Sequence, residues 1–332
     1  MDFLDPRQKS NGATIGENGD KMKRLLTIFV LGIILTAASI SSAATKIWTG
    51  TDDTNWAGPN NWSPVGVPGN SDNVYFQNSS IDVALGLDQN AVTLASLNIE
   101  QTYTGEIGTT TTYLRIKATA VEIGYNYGPV PSQTGSPRIK LDLSNAQSYV
   151  TIHNSSASPT ETTMPPIRLK FVHASTVIEV RKGKVGIAYE TGETSTLATV
   201  VASYVSSKMT DADVFIGSGV TFTTLTQTGG DVVMLCAAAT VNAGGGTLLV
   251  SGTGAITTLN ATGSTITGNS TGTITNCNIS GGIVDFTKST SARTVTTMKL
   301  DAGGQLKFDP DTITITNKIT SNDPATYTAT AI

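Results

Sequence analysis

The chain has 332 residues, with 21 Lys and Arg against 25 Asp and Glu, a formal net charge of −4. So mild a balance excludes the strongly basic footprint of a nucleic-acid-binding protein. Charged residues make up 14% and aromatics 6% beside 33 glycines, and no stretch sustains a 3.6-residue apolar period, so the composition points to short strands and many turns.

Residues 1–21 are polar and precede a second Met at position 22, which marks them as an extension or a mis-called start. Lys23 and Arg24 then lead an apolar run from Leu25 to about Leu35, followed by small residues up to Ser41-Ser42-Ala43. This is the plan of a secretory signal peptide over 22–43, cleaved after Ala43 or Ala44. The run is short of the roughly 20 apolar residues that a bilayer span needs. No later segment is apolar enough to span a membrane, so the expected location is secreted, extracellular or at the cell surface.

The segment 44–80 holds all three tryptophans, Trp48, Trp56 and Trp62, among Gly, Asn, Asp and Pro. Two uses fit such a cluster: a cap that closes the apolar core at the N-terminal end of a stack of coils, or a platform of exposed rings for stacking on sugars. The motifs "WTG", "NW", "NNWSP" and "VPGNSDNVYF" resemble the opening of secreted bacterial parallel β-helix surface proteins, both autotransporter-passenger-like and planctomycete-type. The resemblance covers about thirty residues and implies a β-helical architecture preceded by a Trp-rich segment. It implies no particular activity.

Residues 81–210 alternate apolar and polar positions in "LRIKA", "RIKLDL", "IRLKFV" and "VIEVRK". Leu114/Ile116, Ile139/Leu141/Leu143 and Ile167/Leu169/Phe171 fall on one face. The Pro- and Gly-rich stretches between them read as loop excursions from irregular coils, because the same strand pattern resumes on each side. On the opposite face stand Arg115, Lys117, Arg138, Lys140, Arg168 and Lys170, then Arg181, Lys182 and Lys184. Stacked in register, they would make a basic stripe able to meet an acidic polysaccharide. With Glu122, Asp142 and Glu179 interleaved, the same residues make an ordinary solvated face.

Over 211–320 the chain repeats. "TGGDVVM", "GGGTLLV", "TGSTITG", "SGGIVDF" and "AGGQLKF" align on Gly229, Gly245, Gly263, Gly281 and Gly303, at spacings of 16, 18, 18 and 22 residues. Three places after each anchor stand Val232, Leu248, Ile266, Val284 and Leu306. A turn followed by an alternating strand cannot bury its apolar side alone, and stacking of successive coils would bury it in ladders of like residues. The expected fold is therefore all-β, a parallel β-helix (β-solenoid) with coils of about 16–22 residues and these five residues in one buried stack. An antiparallel β-sandwich is the alternative. Cys236 and Cys277 lie at non-equivalent positions of the repeat and read as buried hydrophobes rather than a disulfide. Residues 321–332 form a final strand or tail, β-prone and nearly uncharged, whose open edge could pair with another chain.

Catalytic signatures are sparse. Asp211 with Asp213, and Asp309 with Asp311, are spaced i, i+2 without a matching third carboxylate, and read as turn residues. His153 and His173 stand apart, with no Cys or carboxylate at ligand spacing. Six Asn-x-Ser/Thr sites carry little weight in so Ser/Thr-rich a chain. The expectation is a non-catalytic structural or adhesive protein with no cofactor and no metal, self-associating through its ends. A glycan-binding or polysaccharide-cleaving β-helix is the alternative, since β-helices of this kind include lyases and hydrolases.

Overall fold

The repeated turn-and-strand units build an all-β chain whose described strands join in one large, mostly parallel sheet, apart from the parallel pair Ser195–Thr196 and Val220–Thr221. The computed structural model describes residues 43–124, 139–144, 148–154, 165–203, 213–289, 291–301 and 303–320. Of the expected signal peptide over 22–43, residues 22–42 lie outside these described residues, as do Arg138, Asp211 and the tail 321–332. Ala43–Ile332 cluster as one unit. Among the described residues, the one antiparallel pairing joins Thr45–Trp48 to Trp62–Ser63. All other paired strands run parallel, which excludes the antiparallel sandwich.

Parallel pairing organises the strands of the large sheet into two ladders. One runs from Thr45–Trp48 through Asn73–Phe76 and onward to Ile313–Thr320. Its inward file holds Val74, Leu97, Val121, Val150, Ile178 and Val200, and continues as Leu225, Val241, Leu259, Cys277 and Met298. All are buried. The other ladder contains the Gly-anchored strands. There Val232 stands opposite Leu248, Leu248 opposite Ile266, Ile266 opposite Val284, and Val284 opposite Leu306. The same file extends back through Val214, Val185 and Ile167 to Ile139.

Successive strands alternate between the ladders: Thr224–Gln227 belongs to the first, Asp231–Met234 to the second, Ala238–Ala243 to the first and Thr247–Val250 to the second. The strands Ile256–Gly268 and Ile274–Asp285 are long enough to take part in both. Two of the crossings from the first ladder to the second fall at the glycine pairs Gly229–Gly230 and Gly245–Gly246, while Gly263 and Gly281–Gly282 lie within the two long strands. Gly246 has φ +76°, and a Cβ there would lie 2.0 Å from the Gly230 carbonyl oxygen of the turn before it. Only glycine lets turns stack so closely in a left-handed conformation.

Both cysteines are buried and free, and burial pushes each thiol up to about 12. Several buried positions depart from the apolar rule, Gln227 and Arg293 among them. Arg293 packs its guanidinium over the Phe286 ring and donates to Ser270 Oγ at 2.6 Å, with Nε and Nη1 unpartnered among the described residues. Burial lowers its pKa to about 10.

Ile266 is fully buried between Leu248 and Val284. Ile266→Asp places an unpaired charge there and should cost about 3–5 kcal/mol. Thermal unfolding followed by circular dichroism checks this, and a variant that melts with the parent would break the buried file.

Candidate functional site

The tryptophans do not form an open platform. Trp48, Trp56 and Trp62 are each 1% exposed. Trp62 sits edge-on to both others, with ring centroids 5.1 Å from Trp48 and 4.7 Å from Trp56, and all three pack on Phe76. Trp48 Nε1 donates to the Ile81 carbonyl at 2.9 Å, and Trp62 Nε1 donates to the Trp56 carbonyl at 2.7 Å. With all three rings sealed and the Trp48 and Trp62 N–H groups satisfied, no ring face is free to stack on a sugar. Trp62–Ser63 is the terminal strand of the first ladder at this end, among the described residues.

The basic stripe is also rearranged. Lys140 and Arg168 occupy outward positions opposite one another, yet they are 1% and 3% exposed. Two loops fold over this part of the sheet and cover them. The loop before Leu114 brings Tyr113 over Lys140, 5.3 Å from Nζ to the ring centroid, and the Thr110 carbonyl accepts from the same ammonium. Gly108, at φ +92°, lets that loop pass close, since a Cβ would stand 3.0 Å from Lys140 Cβ. The loop after Ile187 sets Tyr189 over Arg168 at 5.0 Å and pairs Glu190 with its guanidinium. Opposed like charges in a ladder are destabilising, and the two loops supply what offsets them.

The other outward file alternates in sign. Asp88 stands opposite Arg115, Arg115 opposite Asp142, and Asp142 opposite Lys170. Arg115 Nη1 lies 4.0 Å from Asp88, between exposed side chains. Lys117 stands opposite Thr93, further along the strand. The described cations thus form a mixed, largely compensated surface rather than a basic stripe, and Arg138 lies outside the described residues.

Two clefts meet in this region. A cleft of about 470 Å³ is walled by Phe171, Val172 and the 192–196 segment. One of about 320 Å³ is walled by Leu87, Asp88, Thr111, Thr112, Tyr113 and Arg115. Both are lined by Asp142 and Lys170. Lys170 Nζ lies 4.0 Å above the Tyr113 ring and 3.8 Å from Glu193 Oε1. Glu193 Oε2 accepts from Tyr113 Oη and from the Glu190 N–H, each at 3.1 Å. Burial, reinforced by Glu193, raises the Tyr113 phenol well above its ordinary value. Burial likewise raises Asp142 above the usual 3.8, although Lys170 and Arg115 pull the other way. Sequence reasoning noted Asp142 only as an interleaved charge and missed Tyr113 and Glu193. The opposed strings "IKLDL" and "IRLKF" carry the signal for Asp142 and Lys170. No periodicity announces Glu193, which comes from a loop.

The remaining candidates stay separate. Asp309 Oδ1 accepts from the Asp311 N–H at 2.9 Å within a turn. His153 approaches Glu122 at 3.4 Å, whereas His173 Nδ1 accepts from the Ser175 N–H. A third cleft, of about 550 Å³, includes His153 and Glu122, but Gly124 and Asn154 on its rim adjoin segments outside the described residues. Among the described residues, no three His, Cys, Asp or Glu side chains gather closely enough to hold a metal ion. No helix there is long and apolar enough to cross a membrane.

The folded chain holds the Asp142 proton more tightly than the unfolded chain, so the ionised carboxylate subtracts stability at neutral pH. That penalty disappears as pH falls through the raised value to below 3.8. Asp142→Asn should therefore melt above the parent at pH 7, with the two converging in acid. A parent that melts higher at pH 7 would make the carboxylate a net stabiliser. No protein-family model, curated protein or solved structure matches this chain, so the reading of the site rests on its own residues.

Proposed function

We propose that the chain is an exported, non-catalytic β-solenoid that serves as a structural or adhesive element outside the cell. The observation that carries this reading is the alternation of successive strands between two parallel ladders with continuous apolar files, which stacked coils would produce. Such a scaffold presents its outward positions as long chemically repeated files, suited to lying along an extended polymer. Asn242, Asn260 and Asn278 form one such file, each amide donating to the previous one at 2.8 Å.

One feature of the last described strand bears on end-to-end polymerisation. At the last described rung Lys318 stands opposite Met298, in the inward file, and is exposed. An inward-pointing charge on a terminal strand discourages pairing with another chain. Any strand that pairs with Ile313–Thr320, from this chain or another, would have to bury that charge.

Incubation of the purified chain with neutral and acidic polysaccharides, with and without Ca²⁺, tests the reading. It should be retained on at least one polymer and release no new reducing ends or unsaturated products. Turnover would replace adhesion with an enzymatic function, and retention on none would leave a structural role alone.

A further inference from the structure

We propose that the two clefts sharing Asp142 and Lys170 form one groove that binds a neutral oligosaccharide, with this pair at its centre. The inference deepens the adhesive reading by naming a site and a ligand class, and it holds whether or not the chain also cleaves what it binds.

The first support is an unmet hydrogen-bonding capacity. Asp142 and Lys170 face each other across adjacent strands and line both clefts. Asp142 has no hydrogen-bond donor among the described residues; its nearest compensation is the charge of Lys170 and Arg115. Lys170 is held by the Tyr113 ring and, at 3.8 Å, by Glu193, beyond hydrogen-bonding range. An acceptor and a donor thus stand side by side at the junction of two clefts. A sugar's vicinal hydroxyls answer both, since each can donate to a carboxylate and accept from an ammonium.

The second support is charge. Asp88, Asp142 and Glu193 are interleaved with Arg115 and Lys170. Neither sign dominates, so a polyanion would meet carboxylates along its length and a cation would meet Lys170 and Arg115. An uncharged polyol meets no like charge.

The third support is size and lining. Clefts of about 470 and 320 Å³ fall within the range of small-molecule sites, about 300–1,000 Å³. Their walls add the hydroxyls of Thr111, Thr112 and Thr194, and the apolar side chains of Leu87 and Val172. Val172 is exposed at the larger cleft, where the C–H face of a sugar ring could rest. The burial that raises Asp142 indicates that its position is held at some cost to the fold, as a residue kept for binding would be.

Titration calorimetry on the full secreted chain, with cellopentaose, xylopentaose, mannopentaose and pentagalacturonate as probes, tests the proposal. At least one neutral pentasaccharide should bind, and pentagalacturonate should bind more weakly. Asp142→Asn and Lys170→Met should each weaken that binding about tenfold or more, as the loss of a charge-assisted hydrogen bond does. Thr194→Trp, at an exposed wall position, should block the larger cleft while leaving the charged pair untouched. Melting curves establish that each variant is folded. If no neutral probe binds at millimolar concentration, if the acidic probe binds best, or if the folded variants bind like the parent, the proposal is overturned.

Discussion

Everything in this chain depends on the parallel, in-register backbone ladder. Each strand repeats the hydrogen-bonding positions of the one before it at a spacing of about 4.8 Å, so a side chain meets its counterpart at a fixed offset. The ladder therefore turns a local apolar alternation into files that run through the whole fold. Val232 to Leu306 is one such file, and Val74 to Met298 is another. It also multiplies cost, since an unsuitable residue at one rung disturbs both neighbours.

That constraint explains where the surface departs from simple alternation. Lys140 opposite Arg168 is an arrangement that the ladder forces and the strands alone cannot relieve. Relief comes from outside the sheet, in Tyr113, Tyr189 and Glu190, carried by loops that fold back over the outward face. These loops bury the two cations and raise the walls of the neighbouring clefts. The charged clefts thus share their walls with the loops that relieve a local electrostatic conflict, on a face that is otherwise repetitive.

The C-terminal half is the more legible in sequence because its glycine anchors recur at short spacings. A left-handed residue such as Gly246 fixes where each strand restarts, so a count from the anchors gives the register. The N-terminal half lacks such markers, and its longer coils carry loops that no period predicts. Alternation alone makes an outward position an exposed one, which fails for Lys140 and Arg168. The tryptophans were legible as a cluster, but only packing decides whether a ring lies open or sealed. Arg293 was invisible, since an inward arginine obeys no pattern and is tolerated through Phe286 and Ser270. Glu193 matters through its contacts with Tyr113 and Lys170, which sequence distance conceals.

The register itself can be measured by engineered disulfides at outward positions of adjacent strands. Thr247 and Thr265 are exposed and stand opposite each other. Parallel neighbours about 4.8 Å apart fall within the reach of a disulfide, about 4.4–6.8 Å between Cα atoms. Thr267 stands opposite Leu249 instead, one outward position further along. The native thiols of Cys236 and Cys277 are buried and do not compete. On mild oxidation, the chain carrying Thr247→Cys and Thr265→Cys should close an internal disulfide in high yield, while Thr247→Cys with Thr267→Cys should remain largely reduced. Efficient closure of the offset pair, with the opposed pair left open, would contradict the ladder on which the fold, the clefts and the proposed function all rest.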